Sequence, residues 1–475
     1  MVLARMRKAT KAIIILVVVA FVATLIYVGG TLPRGAGGTV AVVNGERISE
    51  DEFTDLFLRV VAQQEREGRT IPPAQVEAVQ AHLLDQMINT RLLLQGARRE
   101  RIKVDAREVE ARIEHYRKAF PSQAEFEAAL KEEGSSLADL RARVRDTLLV
   151  EKLLERIQSQ VQVTDEDVRD ALRRVHIRHI LIAIPPGEQG EAEARSKAEA
   201  VLARLKAGED FAALAKEYSE DEATKANGGD LGFLRKNEGL DRDFEAVAFA
   251  MKAGEVRGPV KTAFGYHIIK VEEVQEPTPE ELAKEKEGLK KALLETRRDQ
   301  AVEDWLEAQR KKARLVIKDP ALAAFFALQQ GKLDEALNLY QEALRAEPTN
   351  GYLHVSLARI YQEKGEQDKV LQHMEEAARL APGDASILFT LADLYRQRGK
   401  NDRALEYYRK ASDLEPDDFY LHMRLLQIYR ELKEDRLVAE EIAKLDKIKQ
   451  ANEEARRREQ ERQKQQGQQE GAARP

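Results

Sequence analysis

The pattern of apolar and polar positions divides the chain into four stretches. Ala12–Val28 is apolar apart from Thr24 and Tyr27. From Phe53 to about Arg174 apolar residues recur at helical spacing, as in Phe53, Leu56, Phe57, Val60 and Val61. From His176 to Val274 strand-like alternation is interleaved with three short helical patterns. After Pro279 the helical spacing returns and continues almost to the end.

Each stretch predicts elements. A helix over Ala12–Val28 rises about 25 Å, close to the minimum for crossing a bilayer core. Arg5, Arg7, Lys8 and Lys11 precede it and would hold that end in the cytoplasm. A cleaved signal peptide fits the same run; both readings place the rest of the chain outside the cytoplasm. Thr31–Thr39 is a Gly/Pro-rich spacer. In Val40–Ser49 an Asn-Gly pair between β-prone residues predicts a hairpin, and Ser49 with Glu52 predicts a capping box. Helices are then expected over about Pro73–Arg101, from Asp105, from Ser122 to near Gly134, over Ser136–Ser159, and from Thr164 to Arg174. His82 and His115 stand alone on these helices and are read as structural.

Composition narrows the function. A length of 475 residues suits about three folded units. The net charge of −6 gives nucleic-acid binding no support. The absence of cysteine excludes disulfides, thiolate nucleophiles and cysteine metal sites, and leaves the redox compartment open.

The candidate chemistry lies in the alternating stretch. Its ordered parts are HIRHILIAI (His176–Ile184), SEDEATKANGGDLGFL (Ser219–Leu234) and GPVKTAFGYHIIKV (Gly258–Val271). Helices are expected over Glu191–Lys206, around Phe211–Ala215 and over Asp241–Met251, which gives the order β-α-α-β-α-β. His176 and His179 are three apart, so on a strand they face opposite ways, which argues against a shared metal. The Gly228–Gly232 turn lacks GxxxxGK[ST], and Asp230 would repel a phosphate. Asp221–Gly232 lacks the alternating acids of a calcium loop. No metal or cofactor is expected.

Those three motifs, about 100 residues apart from end to end, resemble the parvulin family of peptidyl-prolyl cis–trans isomerases. The resemblance implies that His179 and His267 are the paired active-site histidines. It implies that Asp221 stands where other members have cysteine or aspartate. Leu231, Leu240 and Phe244 would line the pocket that grips the proline ring. Leu240 replaces a frequent methionine and keeps the pocket apolar. Thr262 would join the histidine hydrogen-bond network, and Phe249 would sit in the core beneath. Some members select phosphorylated substrates with basic residues after the first strand. Here that loop, Pro185–Glu193, has acids and no Lys or Arg, so no such preference is expected.

The strand–NG–helix opening and the helices after it resemble the chaperone region of SurA- and PpiD-type periplasmic folding factors. By that resemblance the long helix from Glu280 to Lys312 returns to the chaperone domain, and Leu315–Ile317 is expected to add to the Val40–Val43 hairpin. From Ala321 onward the chain repeats. Gly331, Gly365 and Gly399 are spaced by 34, as are Pro348, Pro382 and Pro416, and Ala324, Ala358 and Ala392. That period is the tetratricopeptide signature. A fourth unit, Phe419–Ile448, keeps Leu425 and Tyr429 but loses the glycine and proline.

The expected protein is therefore multi-domain and mainly α. Residues 1–11 form a cytoplasmic N-terminus, 12–29 one transmembrane helix and 30–39 a linker. Residues 40–175 form a helical chaperone domain completed by 280–318, and 176–275 an α+β isomerase domain. Residues 319–448 form an α-solenoid of repeats, and 449–475 a charged tail that frays from a helix into disorder. The expected function is isomerisation of X–Pro bonds and chaperoning of unfolded or nascent exported polypeptides, with a protein partner on the repeats. The bulk of the chain would lie on the extracytoplasmic, periplasmic side of the inner membrane. The alternative is a catalytically inactive chaperone, or a repeat scaffold of an envelope or export complex.

Overall fold

The computed structural model describes residues 38–132, 135–185, 190–236 and 238–472. The expected transmembrane segment, 12–29, and the cytoplasmic N-terminus lie outside them. Among the described residues no helix is long and apolar enough to cross a membrane. The described chain forms two compact units: residues 100–104 with 147–308, and residues 38–99, 105–146 and 309–472.

The first unit holds the sheet. Strands β3 (Arg174–Ile182), β4 (Asp230–Leu234), β5 (Val256–Thr262) and β6 (Gly265–Gln275) pair antiparallel in the order β4-β3-β6-β5. Both faces are covered. Ile180, Ile182 and Ile268 pack on α7 (Gly190–Lys206) and α8 (Phe211–Tyr218). Val175, Ile177, Ile269 and Val271 pack on α9 (Arg242–Phe249) through Phe244, Ala248 and Phe249. The order is therefore β-α-α-β-α-β-β, which corrects the six-element expectation. Strand β5 reads VRGPVKT, and its glycine and proline hide the alternation. Pairing with β6 holds it in the sheet as an edge strand, where proline is tolerated. Beside the sheet, α6 (Asp165–Leu172) packs Val168 and Leu172 on Leu282, Leu289 and Leu293 of α10 (Pro279–Lys312). A Thr164–Asp167 capping box starts α6, and Arg297 donates to the same Asp167.

The second unit opens with the hairpin β1 (Thr39–Val43) and β2 (Glu46–Ser49). Its turn residues Asn44 and Gly45 have φ of 52° and 90°, as a tight two-residue hairpin turn requires. Strand β7 (Leu315–Ile317) pairs antiparallel with β1, as expected, and Asn44 Oδ1 accepts from Arg314 N at 2.8 Å. Ser49 caps α1 (Glu50–Arg66), but Glu52 does not complete the box with it; its carboxylate takes Arg91 at 2.8 Å. Helix α2 (Pro73–Arg99) buries Leu84, Ile88, Leu92 and Leu93, and α3 (Ala106–Arg117), α4 (Gln123–Glu132) and α5 (Leu137–Ser159) follow it in the chain.

Eight helices follow in four antiparallel pairs: α11 (Pro320–Gln329) with α12 (Leu333–Ala346), α13 (Gly351–Glu363) with α14 (Gln367–Leu380), α15 (Ala385–Gln397) with α16 (Asn401–Leu414), and α17 (Phe419–Glu431) with α18 (Asp435–Ala472). Gly331, Gly365 and Gly399 make the turn inside each of the first three pairs at φ near 74°, 74° and 71°, where a Cβ is disfavoured. In the fourth pair Lys433 takes that left-handed position at φ 62°. Tyr340, Met374 and Tyr408 are buried at the equivalent core position. Helix α18 continues through the charged segment to Ala472, further than the expected fraying helix. Its Glu, Gln, Lys and Arg residues are strong helix formers.

Candidate active site

Strand β4 pairs with β3 only as far as Arg178. Beyond that point the same edge of β3 is taken by irregular chain, and this places the candidate residues. His179 N donates to Gly229 O at 2.8 Å, and Glu220 N donates to Leu181 O at 2.8 Å. A Cβ on Gly229 would sit 2.0 Å from the His179 carbonyl oxygen, and its φ is 74°, so only glycine lets the loop close on the strand here. Ser219 is fully buried, and its Oγ accepts from Leu181 N at 3.2 Å and Asp221 N at 3.4 Å. The Ser219–Asp221 segment is thereby fixed beside His179.

From these supports the side chains form a continuous line. His179 Nε2 lies 2.8 Å from Asp221 Oδ2 and 3.1 Å from Thr224 Oγ1. His179 Nδ1 lies 3.2 Å from His267 Nδ1 across the β3–β6 pair. His267 Nε2 lies 2.9 Å from Thr262 Oγ1 on β5. The two imidazoles are stacked, 5.5 Å between centroids at 14°. Both are 6 % exposed, so these bonds are shielded from water.

Donor and acceptor roles fix the direction of the line. The Asp221 carboxylate accepts, so His179 presents Nε2–H to it. With both rings neutral, His179 Nδ1 accepts from His267 Nδ1–H, and His267 Nε2 accepts from the Thr262 hydroxyl. Phe264 N donates to Thr262 Oγ1 at 3.1 Å, and Thr224 Oγ1 donates to Asp221 Oδ2. Burial first, and then the repulsion a second imidazolium beside His179 would meet, push the His267 pKa down to about 4, so its ring is neutral near pH 7. For Asp221, desolvation pushes the carboxyl up. The hydrogen bonds from Thr224 and His179 outweigh it and hold the group below its usual range.

An apolar wall adjoins the line. Phe244 is 3 % exposed and turns its edge to both imidazoles, 5.8 Å from His179 at 81° and 5.2 Å from His267 at 85°. Leu231 and Leu240 are partly buried against the same cluster, with Phe249 deeper in it. Asp241 caps the first turn of α9 and so sets where Phe244 emerges. Chemically the arrangement joins fixed polar groups to a greasy surface. It offers shape, dipoles and hydrogen bonds rather than a reactive nucleophile.

All seven residues singled out in the sequence lie in this one region: His179, Asp221, His267 and Thr262 on the line, and Leu231, Leu240 and Phe244 on the apolar cluster. Sequence reading missed Thr224 and Ser219. The Asp-x-x-Thr spacing, which suits a side-chain cap on a short turn, was the available signal for Thr224. His176 bonds Asp230 at 2.8 Å and takes no part. Among the described residues no cluster of three or more His, Cys, Asp or Glu is placed to hold a metal.

Comparison with known proteins places the same residues in context. Residues 179–273 match the PPIC-type PPIASE domain family, and residues 2–154 match the SurA-like N-terminal domain family. Residues 327–372 and 385–418 match tetratricopeptide repeat families. The chain is 36 % identical over 257 residues to foldase protein PrsA of Caldanaerobacter subterraneus subsp. tengcongensis, covering 50 % of this chain and 74 % of that relative. It is 31 % identical over 314 residues to foldase protein PrsA of Clostridium kluyveri, covering 60 % and 89 %. The corresponding protein of Halalkalibacterium halodurans is 31 % identical over 277 residues, covering 54 % and 74 %.

Proposed function

This chain belongs to the PrsA foldase family and is a parvulin-type peptidyl-prolyl cis–trans isomerase with chaperone function, and on that premise we propose that His179, Asp221 and His267 are its catalytic residues. Leu231, Leu240, Phe244 and Thr262 are proposed to receive the proline and its neighbours. The observation that carries this reading is the unbroken Asp221–His179–His267–Thr262 line set against the Phe244 cluster.

The mechanism follows from the amide bond. Rotation about a peptide C–N bond costs about 18–20 kcal/mol because resonance is lost at the twisted state. The two X–Pro isomers differ by only about 0.5–1 kcal/mol, so the barrier alone needs help. A turnover near 10² per second requires roughly 4–5 kcal/mol of barrier lowering, at about 1.4 per tenfold. Phe244, Leu231 and Leu240 hold the pyrrolidine ring and exclude water. The histidine line offers preorganised dipoles to the prolyl amide as it twists and its nitrogen gains lone-pair character. No bond to carbon, nitrogen or sulfur is made or broken. A thiol cannot attack, since the sequence has no cysteine.

The same proposal covers the rest of the chain. Residues 40–175 with 280–318 form the chaperone domain, into which residues 176–275 are inserted; the β1–β7 pairing supports this. Residues 12–29 anchor the protein in the cytoplasmic membrane with its bulk on the extracytoplasmic side, where it meets exported polypeptides; the basic flank and the apolar run support this. The repeats hold a protein partner. The test of the catalytic assignment is a proline-peptide isomerisation assay on the full chain. The triple variant His179→Ala/Asp221→Ala/His267→Ala is expected to lose at least about a hundredfold in kcat/KM, and retention of wild-type activity would sink the assignment. Protease accessibility in sealed vesicles tests the topology.

A further inference from the structure

The repeats form a groove that is partly filled by the chain itself. Helix α2 enters against α11, and its Glu77 carboxylate accepts from Ser356 Oγ at 2.9 Å. Desolvation holds the Glu77 carboxyl above its usual range, as expected for an acid sealed into a contact. The first two repeats are thus engaged by the chaperone region within one compact unit.

Beyond that contact a cavity of about 720 Å³ stays open. Pro72, Pro73 and Ala74, at the start of α2, form one wall, and residues of α13, α15 and α17 form the others. Its apolar lining includes Tyr352, Phe389, Leu421 and Tyr420. Tyr420 is 84 % exposed, a large aromatic surface left to solvent at the rim. The charges on the lining are unbalanced. Asp384, Glu415 and Asp418 supply three carboxylates; Asp384 and Asp418 each use one oxygen to cap α15 and α17, and Asp384 also accepts from the Tyr352 hydroxyl at 3.0 Å. Arg424 is the single base among the described lining residues, and its guanidinium lies over the Phe389 ring at 4.2 Å and pairs with Asp393 at 2.9 Å. Its charge is therefore matched by an acid outside the lining, which leaves the lining itself net negative.

We infer that this groove binds an extended polypeptide segment carrying lysine or arginine between apolar residues, and that the chaperone region and repeats two to four hold it jointly. The inference deepens the reading that the repeats take a protein partner, and rests on it. Apolar side chains of the segment lie on Tyr352, Leu421 and Tyr420, and its cations meet Glu415 and the oxygen of Asp418 that does not cap α17. The Pro72–Ala74 wall makes the site incomplete without the chaperone region.

The test is fluorescence anisotropy with the full chain and a short dye-labelled, proline-free peptide of lysine, leucine and alanine. A second peptide has glutamate for each lysine. Leaving out proline separates this groove from the isomerase site, and X–Pro isomerisation measured on the same samples reports that site independently. The lysine peptide is expected to bind at least about tenfold tighter than the glutamate peptide, and to weaken as salt rises from about 0.05 to 0.5 M. Glu415→Lys, Tyr420→Ala and Ala74→Arg are each expected to weaken it about fivefold or more, with circular dichroism and isomerisation unchanged. Equal binding of both peptides, or lysine-peptide binding indifferent to all three variants, would overturn the inference. Absence of peptide binding with self-association that Tyr420→Ala abolishes would also overturn it, assigning the groove to a second copy.

Discussion

Two pairs of histidines meet ring to ring among the described residues, and only one has the surroundings on which the proposed catalytic assignment rests. His179 and His267 approach Nδ1 to Nδ1 at 3.2 Å in the isomerase domain. His354 and His373 do the same at 2.9 Å between two helices of the repeats. Burial lowers the pKa of His267, His354 and His373 alike. The difference lies at the far nitrogens. His179 and His267 pass their hydrogen bonding on to Asp221 and Thr262, and Phe244 abuts both rings. The second pair is flanked by Tyr361, stacked on His373 at 5.3 Å, with Lys369 over the Tyr361 face. A paired imidazole is thus not a site in itself. The proposed catalytic assignment rests instead on a line held at both ends beside an apolar wall.

Breaking the wall should cost most. Phe244→Ala is expected to destabilise the isomerase domain by about 3–5 kcal/mol and to remove most activity, measured by urea unfolding and by the peptide assay. Acid should break the line next. The folded pKa of His267 lies below its usual 6.5, so the unfolded chain takes up the proton first and stability falls as the pH drops from 6.5 toward 4. The loss from this group is up to about 3 kcal/mol. Asp221, also lowered, adds a loss in the same direction below its ordinary range. Isomerisation should stay level through neutral pH and decline only as the pH falls toward 4, where the folded His267 takes up its proton. Thr224→Val removes a donor to Asp221, and a fall of about fivefold in kcat/KM with a shift of the acid limb to higher pH is expected. A merely structural Thr224 would leave that limb in place. The smallest effect belongs to the second pair: His354→Ala and His373→Ala should each change stability by about 1 kcal/mol or less and leave isomerisation unchanged. Loss of isomerisation there would erase the contrast.

Much of this was legible in the chain because local rules carried it. Alternation placed β3 and β6, and with them both histidines. The 34-residue period placed the repeat helices, and Asn44-Gly45 placed the hairpin. Where longer-range contacts decide, the pattern was silent. Strand β5 carries Gly258 and Pro259, and exists by pairing with β6. Glu52 had two competing partners, and Arg91, distant in sequence, won over the cap. Thr224 sits in a loop shaped by backbone hydrogen bonds within 221–229 and by Asp221 and His179, outside any periodic pattern. The cradle formed by α2 against the repeats depends on Glu77 meeting Ser356, 279 residues away, which no periodicity encodes.

The most direct test of the central claim is a double-mutant cycle on the line itself, read as kcat/KM for X–Pro isomerisation by the full chain. If His179 and His267 work as one hydrogen-bonded unit, His179→Ala/His267→Ala should be no more than about threefold worse than the poorer single variant. If the two losses multiply, each histidine acts alone and the account of a continuous line is contradicted.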